Sequence, residues 1–417
     1  MQGHCEREFE AVAAAFVNNF KVHGELGASV SVTVGGRKVV DLWGGLRDAK
    51  TAEPWEEDTV SIVFSCTKAA TALCAQILID RGQLELDAPV ARYWPEFAQA
   101  GKEDATVIMT LNHSVGLPAL REPVKAGGYY DWDYMVERLA REAPFWQPGT
   151  RNGYHMISFG WLVGELVRRV SGQSLGAFFR SEIAVPLGLD FWIGLPQGIE
   201  PRVAPVIRFI PAPDAPRSDF TTALLANPQS IQYLSLLNNG GHQTDSRAAH
   251  AAEIGGGGGI SNARALARMF EPLANRGEFI DTKFVGHKIK GRETNDGKLK
   301  DSARSHGKNS TNRLISAQRI EDMRQVSVQT DRDQTLLIPT RFAQGFMLRM
   351  DNPTLPTGHS VRIGEQAFGH VGAGGSIGFA DPQFALSFGY TMNRMGGGLL
   401  LNERGQALVD AAYAGLK

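Results

Sequence analysis

Cysteine is scarce in this chain: Cys5, Cys66 and Cys74 are the only three among 417 residues. Three scattered thiols are too few for a disulfide framework or a thiolate zinc site, and they suit a reducing compartment, so a cytoplasmic location is expected. Charge excess is lacking as well, since 43 Lys and Arg stand against 44 Asp and Glu, a net charge of −1. Without a global field of either sign, neither nucleic acid nor a membrane surface is expected as a partner. No apolar run is long enough to cross a bilayer. The opening residues, MQGHCEREFEAVAAAF, carry acids where a secretory leader would be basic and then purely apolar, so no leader is expected. No spacing of His, Asp or Glu argues for a metal ion.

What is present is the composition of a globular protein, 43% hydrophobic and 21% charged. The length allows two domains, or one large domain with insertions. Residues 6–20 carry apolar positions at helical spacing, and GASVSVTVGGRKVVDLWGG alternates and turns at Gly35-Gly36, a hairpin signal. DWDYMVERLAREAP and ISFGWLVGELVRRVSG read as helices, and ISNARALARMFEPLA as a helix capped by Ser261 or Asn262. Residues 199–245 are rich in Pro, Asn and Ser and are expected to wind over the surface. RFAQGFMLRM and QFALSFGYTMNRM have strand character, and RGQALVDAAYAGL closes the chain as an amphipathic helix. Strands at both ends with helices between them predict one sheet built from both termini. Residues 281–312 differ from the rest: they are basic, polar and almost without large apolar side chains, and read as a solvated insertion or a docking surface for an acidic partner.

The stretch FSCTKAATALCAQILIDRG sets Ser65 and Lys68 three positions apart at the head of an apolar helix, on one face. If Ser65 begins that helix, its hydroxyl lies where unpaired backbone N–H groups and the positive dipole end gather. Both favour a developing oxyanion and disfavour an ammonium. Neutralising an ordinary lysine at pH 7 costs about 4.6 kcal/mol, and burial among Ala69, Ala70, Ala72, Leu73 and Ala75 can supply a shift of that sign. The alternative is a serine that caps the helix and a lysine exposed to solvent. Ser-x-x-Lys recurs at Ser305 and Lys308, but in the polar insertion with no apolar helix after it.

The surrounding residues add a second argument. SIVFSCTKAATALCAQILIDRGQLELDAPVARYWPEF resembles the nucleophile segment of the serine β-lactamase and penicillin-binding-protein superfamily, and is most similar to the family VIII carboxylesterases, the esterase branch related to class C β-lactamases. The similarity continues through LNHSVGLP, QPGTRNGYHMISFGWLVGELVRRVSG, PLGLDFWIGLP and GHVGAGGSIGFADP with GYTMNRMGGG, most of the chain apart from the insertion. It implies an α+β fold: an antiparallel sheet flanked by helices and built from both termini, with an inserted, mainly helical region. Residues 1–90 and 250–417 are then assigned to the sheet domain and 91–249 to the helical one. The resemblance also implies roles. Ser65 is the nucleophile, Lys68 and Tyr154 move its proton, and the N–H groups of Ser65 and Ala373 form the oxyanion hole. His370 and Gly372 border the substrate, where lactamases usually carry Lys-Thr-Gly. For Tyr154 a plainly structural, buried tyrosine is the competing reading.

Two departures from the lactamase pattern are informative. His370, mostly neutral at pH 7, replaces a lysine that would attract a lactam carboxylate. Tyr154 is followed by His155 and Met156, so the asparagine amide that grips a lactam side chain is missing. Other motifs are weaker. GGSIG around Ser376 spells a nucleophile elbow, but a turn and a strand follow it, and no histidine lies downstream. Gly255 to Gly259 lack a P-loop ending and read as tight backbone packing. His113 reads as a structural hydrogen-bonder, and Tyr129, Tyr130, Trp132, Tyr134 and Trp146 as a substrate pocket or plain core. The expected function is a cofactor-free serine carboxylesterase acting on small, short-chain esters through an acyl-enzyme on Ser65. The alternatives are a β-lactamase, D-amino-acid peptidase or acyltransferase on the same scaffold, or a non-catalytic binding protein.

Overall fold

The computed structural model describes residues 1–280 and 311–416. Residues 281–310 of the basic segment, with Ser305 and Lys308, lie outside the described residues. On either side of them, Glu278–Ile280 pairs antiparallel with Thr311–Arg313.

The alternating strand Gly27–Val34 turns through Gly35 and Gly36, both at positive φ (56° and 77°), into Arg37–Asp48. Paired positive φ values match the right-handed twist of the two strands, which is why a Gly-Gly pair makes this hairpin. Alternation then sorts the faces. Ala28, Val30 and Val32 join Phe9, Val12, Phe16, Leu408 and Val409 in one buried core, under the first helix, Glu10–Val22, and the last, Glu403–Ala414. Ser29 and Thr33 point the other way and bond Thr391 and Ser387 of the neighbouring strand Leu386–Met392 (3.0 and 2.7 Å). The helix Ala263–Ala274, capped by Asn262, lies over that second face. Both faces of the central strands are therefore covered.

The sheet is antiparallel and joins the two termini. Gln2–Cys5 pairs with Arg37–Asp48, which pairs with Gly27–Val34 and then Leu386–Met392, Ile377–Asp381 and Phe368–Val371. Met347–Leu348, Thr340–Phe342 and Val328–Thr330 continue it to the other edge. From Val107 to Ala251 the regular structure is helical apart from the two-residue strand Phe191–Trp192. Between sheet and helices runs Cys66–Asp80, with every residue from Cys66 to Leu78 buried. Small side chains allow this: a Cβ built on Gly345 would lie 2.4 Å from that of Ala72.

Gln2–Cys5 is an edge strand, and the helical spacing of residues 6–20 corresponds to a 3-10 turn, Arg7–Phe9, followed by Glu10–Val22. One reading needs correction. Residues 199–245 are not merely a surface winding. Ser218 and Ser230 cap short helices, Asp219–Ala226 and Ile231–Leu236, and the second buries Gln232, Leu234 and Ser235. Among the described residues no helix is long and apolar enough to cross a membrane.

Candidate active site

The nucleophile candidate sits where a strand becomes a helix. After Ser61–Ile62 the chain passes through Phe64 at φ 45°, a left-handed conformation that costs a non-glycine residue on the order of 1–3 kcal/mol. Val63 N donates to Gly259 O (2.9 Å), and Thr67 N donates back to Phe64 O (2.9 Å), which hold the bend in place. Ser65 is the N-cap residue of Cys66–Asp80, yet its side chain makes no capping bond. Lys68 is fully buried. The alternative of a capping serine with a solvent-exposed lysine therefore does not describe this pair.

Lys68 Nζ lies 2.9 Å from Ser65 Oγ, 2.6 Å from Met156 O and 2.6 Å from Gly256 O. No carboxylate among the described residues pairs with the amine. Burial holds its pKa well below the ordinary lysine value, opposed only weakly by Cys66. The glycine run explains one of the carbonyls. Cβ atoms on Gly160 and Gly256 would lie 2.1 Å from Gly256 N and 2.3 Å from Ile157 O, so bare backbone is needed for the 255–259 turn to come this close.

Tyr154 meets the pair from the helical region. Lys68 Nζ lies 4.7 Å from the centre of its ring. The phenol is buried and makes no hydrogen bond. Burial raises its pKa, and the Ser65 hydroxyl is the first influence in the opposite direction. The ring stacks on Phe342 (5.9 Å, 5°) and meets His113 edge-on at 4.9 Å. His113 itself is structural: its Nδ1 accepts from His155 N (3.2 Å).

The third element is the strand Phe368–Val371 and the turn after it. His370 Nδ1 lies 2.7 Å from Val371 O; a carbonyl can only accept, so that nitrogen carries the proton and Nε2 keeps its lone pair. Nε2 is buried and without a partner. Burial first, then Lys68, pushes the ring pKa down to about 3, so His370 is neutral at pH 7. Gly372 has no room for a side chain, since a Cβ would meet Val63 O at 2.3 Å. Ala373 is exposed, and among the described residues neither its amide nor that of Ser65 donates to a protein acceptor. The turn is fixed behind Ala373, where Gly374 O accepts from Asn402 Nδ2 (2.7 Å) and Gly396 N (2.9 Å).

Ser376 is not in a nucleophile elbow. It stands between a turn and the strand Ile377–Asp381, is fully buried, and donates to Val63 O at 3.1 Å. The aromatic cluster is largely structural: Tyr129 and Trp146 are core residues, and Trp132 Nε1 donates to Glu165 (2.9 Å). Three contributors were missed: the carbonyls of Met156 and Gly256, and Asp333, whose carboxylate accepts from Tyr154 N. Main-chain acceptors leave no mark in residue types, and Asp333 lies in no motif.

Residues 12–413 match the family model described as Beta-lactamase. The chain is 33% identical over 401 residues to the esterase/beta-lactamase LipL of Mycobacterium tuberculosis, covering 94% of this chain and 83% of that protein. The crystal structure of a family VIII carboxylesterase resembles it with a TM-score of 0.81 at 35% identity over 99% of both chains. A penicillin-binding-protein homologue from Caulobacter crescentus gives a TM-score of 0.82 at 34% identity, also over 99% of both.

Proposed function

We propose that this chain, which belongs to the beta-lactamase family, is a serine carboxylesterase that cleaves short-chain esters through an acyl-enzyme on Ser65. The observation that carries the reading is the buried amine 2.9 Å from Ser65 Oγ. A neutral amine has two N–H groups and one lone pair. With Met156 O and Gly256 O taking the N–H groups, the lone pair is left for the Ser65 hydroxyl proton.

In acylation the hydroxyl proton passes to Lys68 while Oγ bonds to the ester carbonyl carbon. The resulting oxyanion is received by the amides of Ser65 and Ala373, each such donor being worth about 3–4 kcal/mol in the transition state. As the C–O bond breaks, Tyr154 gives its proton to the leaving alkoxide and recovers one from Lys68. In deacylation water attacks the acyl carbon, its proton enters the same relay, and Ser65 is reprotonated as the acid leaves. No cofactor enters either half.

Ester rather than lactam is favoured by His370. A neutral ring presenting a lone pair offers no cation to a lactam carboxylate, and a hydrogen bond to a charged group is worth about 1.5–3 kcal/mol. The kcat/KM for p-nitrophenyl butyrate is therefore expected to exceed that for nitrocefin by about 10- to 150-fold, and a fluorophosphonate probe is expected to label Ser65. Faster turnover of nitrocefin would favour the lactamase reading. No labelling and no esterase activity would leave a binding protein.

A further inference from the structure

Apart from the nearby Ser65 hydroxyl, no side chain among the described residues holds the Tyr154 phenol, so its position depends on ring packing and on its main chain. The Tyr154 amide itself is held from one place, while Gly153 N and His155 N on either side are held by His113. Asp333 is fully buried and pairs with no cation among the described residues, and both of its oxygens lie 3.0 Å from Tyr154 N. Oδ1 also accepts from Thr335 N and Leu336 N (2.8 Å each), and Oδ2 shares the Thr340 Oγ1 proton with Asn152 Oδ1 (3.2 Å each). Thr340 opens the strand whose Phe342 stacks on the Tyr154 ring. Two residues beyond Tyr154, Met156 O receives Lys68 Nζ. The segment anchored at residue 154 thus carries one proton-relay candidate and a carbonyl that orients the other.

The geometry points to Asp333 as a positioning residue: its carboxylate clamps the Tyr154 amide and so holds both the phenol and the Met156 carbonyl in register with Ser65. This rests on the roles given above to Tyr154 and Lys68. A carboxylate is an expensive choice for a dry site. Burial raises its pKa to about 6 against the four donors that lower it, so the fold gains less from the charge than it spends in desolvating it. A turn alone needs less, because one oxygen suffices for Thr335 and Leu336. The second oxygen serves Thr340 and shares the Tyr154 N–H with the first.

That division makes Asp333→Asn diagnostic. With its oxygen at the Oδ1 position, asparagine keeps the turn and can donate to Thr340 Oγ1. Its NH2 group then replaces one of the two oxygens 3.0 Å from Tyr154 N, so a donor crowds that N–H beside the one acceptor that remains, at the Oδ1 position. The expected result is a folded protein whose kcat for p-nitrophenyl butyrate falls about 10- to 100-fold, in the range that a misplacement near 1 Å produces, with KM within about twofold. The single-turnover acylation rate falls in parallel. Asp381→Asn is the comparison for a merely structural carboxylate: Asp381 accepts from Tyr413 and Gln383 away from Tyr154, and its loss is expected to lower Tm and leave kcat unchanged. Wild-type kcat in folded Asp333→Asn, or a loss no larger than the loss of titratable sites, overturns the proposal. Should that variant not fold, Thr340→Val decides: a lower kcat at constant KM supports the clamp and an unchanged kcat overturns it. Failure of a fluorophosphonate to label wild-type Ser65 would instead remove the reading on which the proposal rests.

Discussion

Ser65→Ala is expected to lower kcat/KM for p-nitrophenyl butyrate by about four orders of magnitude or more, because without the alcohol no acyl-enzyme forms. The informative control is Ser376→Ala, which removes the serine set in a nucleophile-elbow motif. Ser376 Oγ donates to Val63 O, two residues before the nucleophile, and receives Cys66 Sγ at 3.7 Å. Alanine there removes one of two donors to Val63 O, which keeps Cys66 N at 3.1 Å, a cost of about 0.5–1.5 kcal/mol in stability, while turnover stays within a few-fold of wild type. Steady-state kinetics with thermal unfolding on both variants separates the two serines. Loss of turnover in Ser376→Ala with retention in Ser65→Ala would reverse the assignment.

Lys68→Met is expected to remove about three orders of magnitude or more of kcat while costing little stability at neutral pH. Two effects compete. Burying an uncharged lysine at pH 7 carries a penalty of about 4.6 kcal/mol that methionine escapes. Against this, Met156 O and Gly256 O lose their donor, at about 1–3 kcal/mol each. The two nearly cancel, so the net change at pH 7 is expected within about 2 kcal/mol of zero. The pH dependence gives the direction. The folded protein holds Lys68 with a depressed pKa, so between that value and the ordinary one near 10.4 the unfolded chain binds the extra proton. Wild-type stability then rises with pH across that window, by about 1.4 kcal/mol per unit relative to Lys68→Met. Denaturant midpoints for both proteins over this range measure it. A difference that does not change with pH would mean that the amine stays charged in the fold.

Some of this molecule was legible because local chemistry and tertiary need coincide. The Gly35-Gly36 turn, the Asn262 cap and the apolar helix after Ser65 each place a distinctive residue where only that structure suits it. The Ser65–Lys68 spacing gave the shared face, and the alanine-rich run gave the burial that depresses the amine. Other parts had no local signal. Two-turn helices such as Ile231–Leu236 are too short for a period to register, and Gln2–Cys5 is an edge strand with no apolar alternation. The acceptors around Lys68 are main-chain atoms of Met156 and Gly256, whose side chains say nothing of their role. Asp333 reads as one more polar loop residue until the fold brings it 179 positions back to the Tyr154 amide. Long-range closure of this kind is set by how sheet and helices pack, not by any window of sequence.

The most direct test follows the ionisation of Lys68 itself, by NMR of the side-chain 13Cε signal in lysine-labelled protein, assigned by its loss in Lys68→Met. This one resonance is expected to titrate far below the ordinary lysine value near 10.4 and to be that of a free amine at the pH where esters are turned over. A signal that titrates with the other lysines would show a permanent ammonium beside Ser65, and the proton acceptor assigned here would be the wrong group.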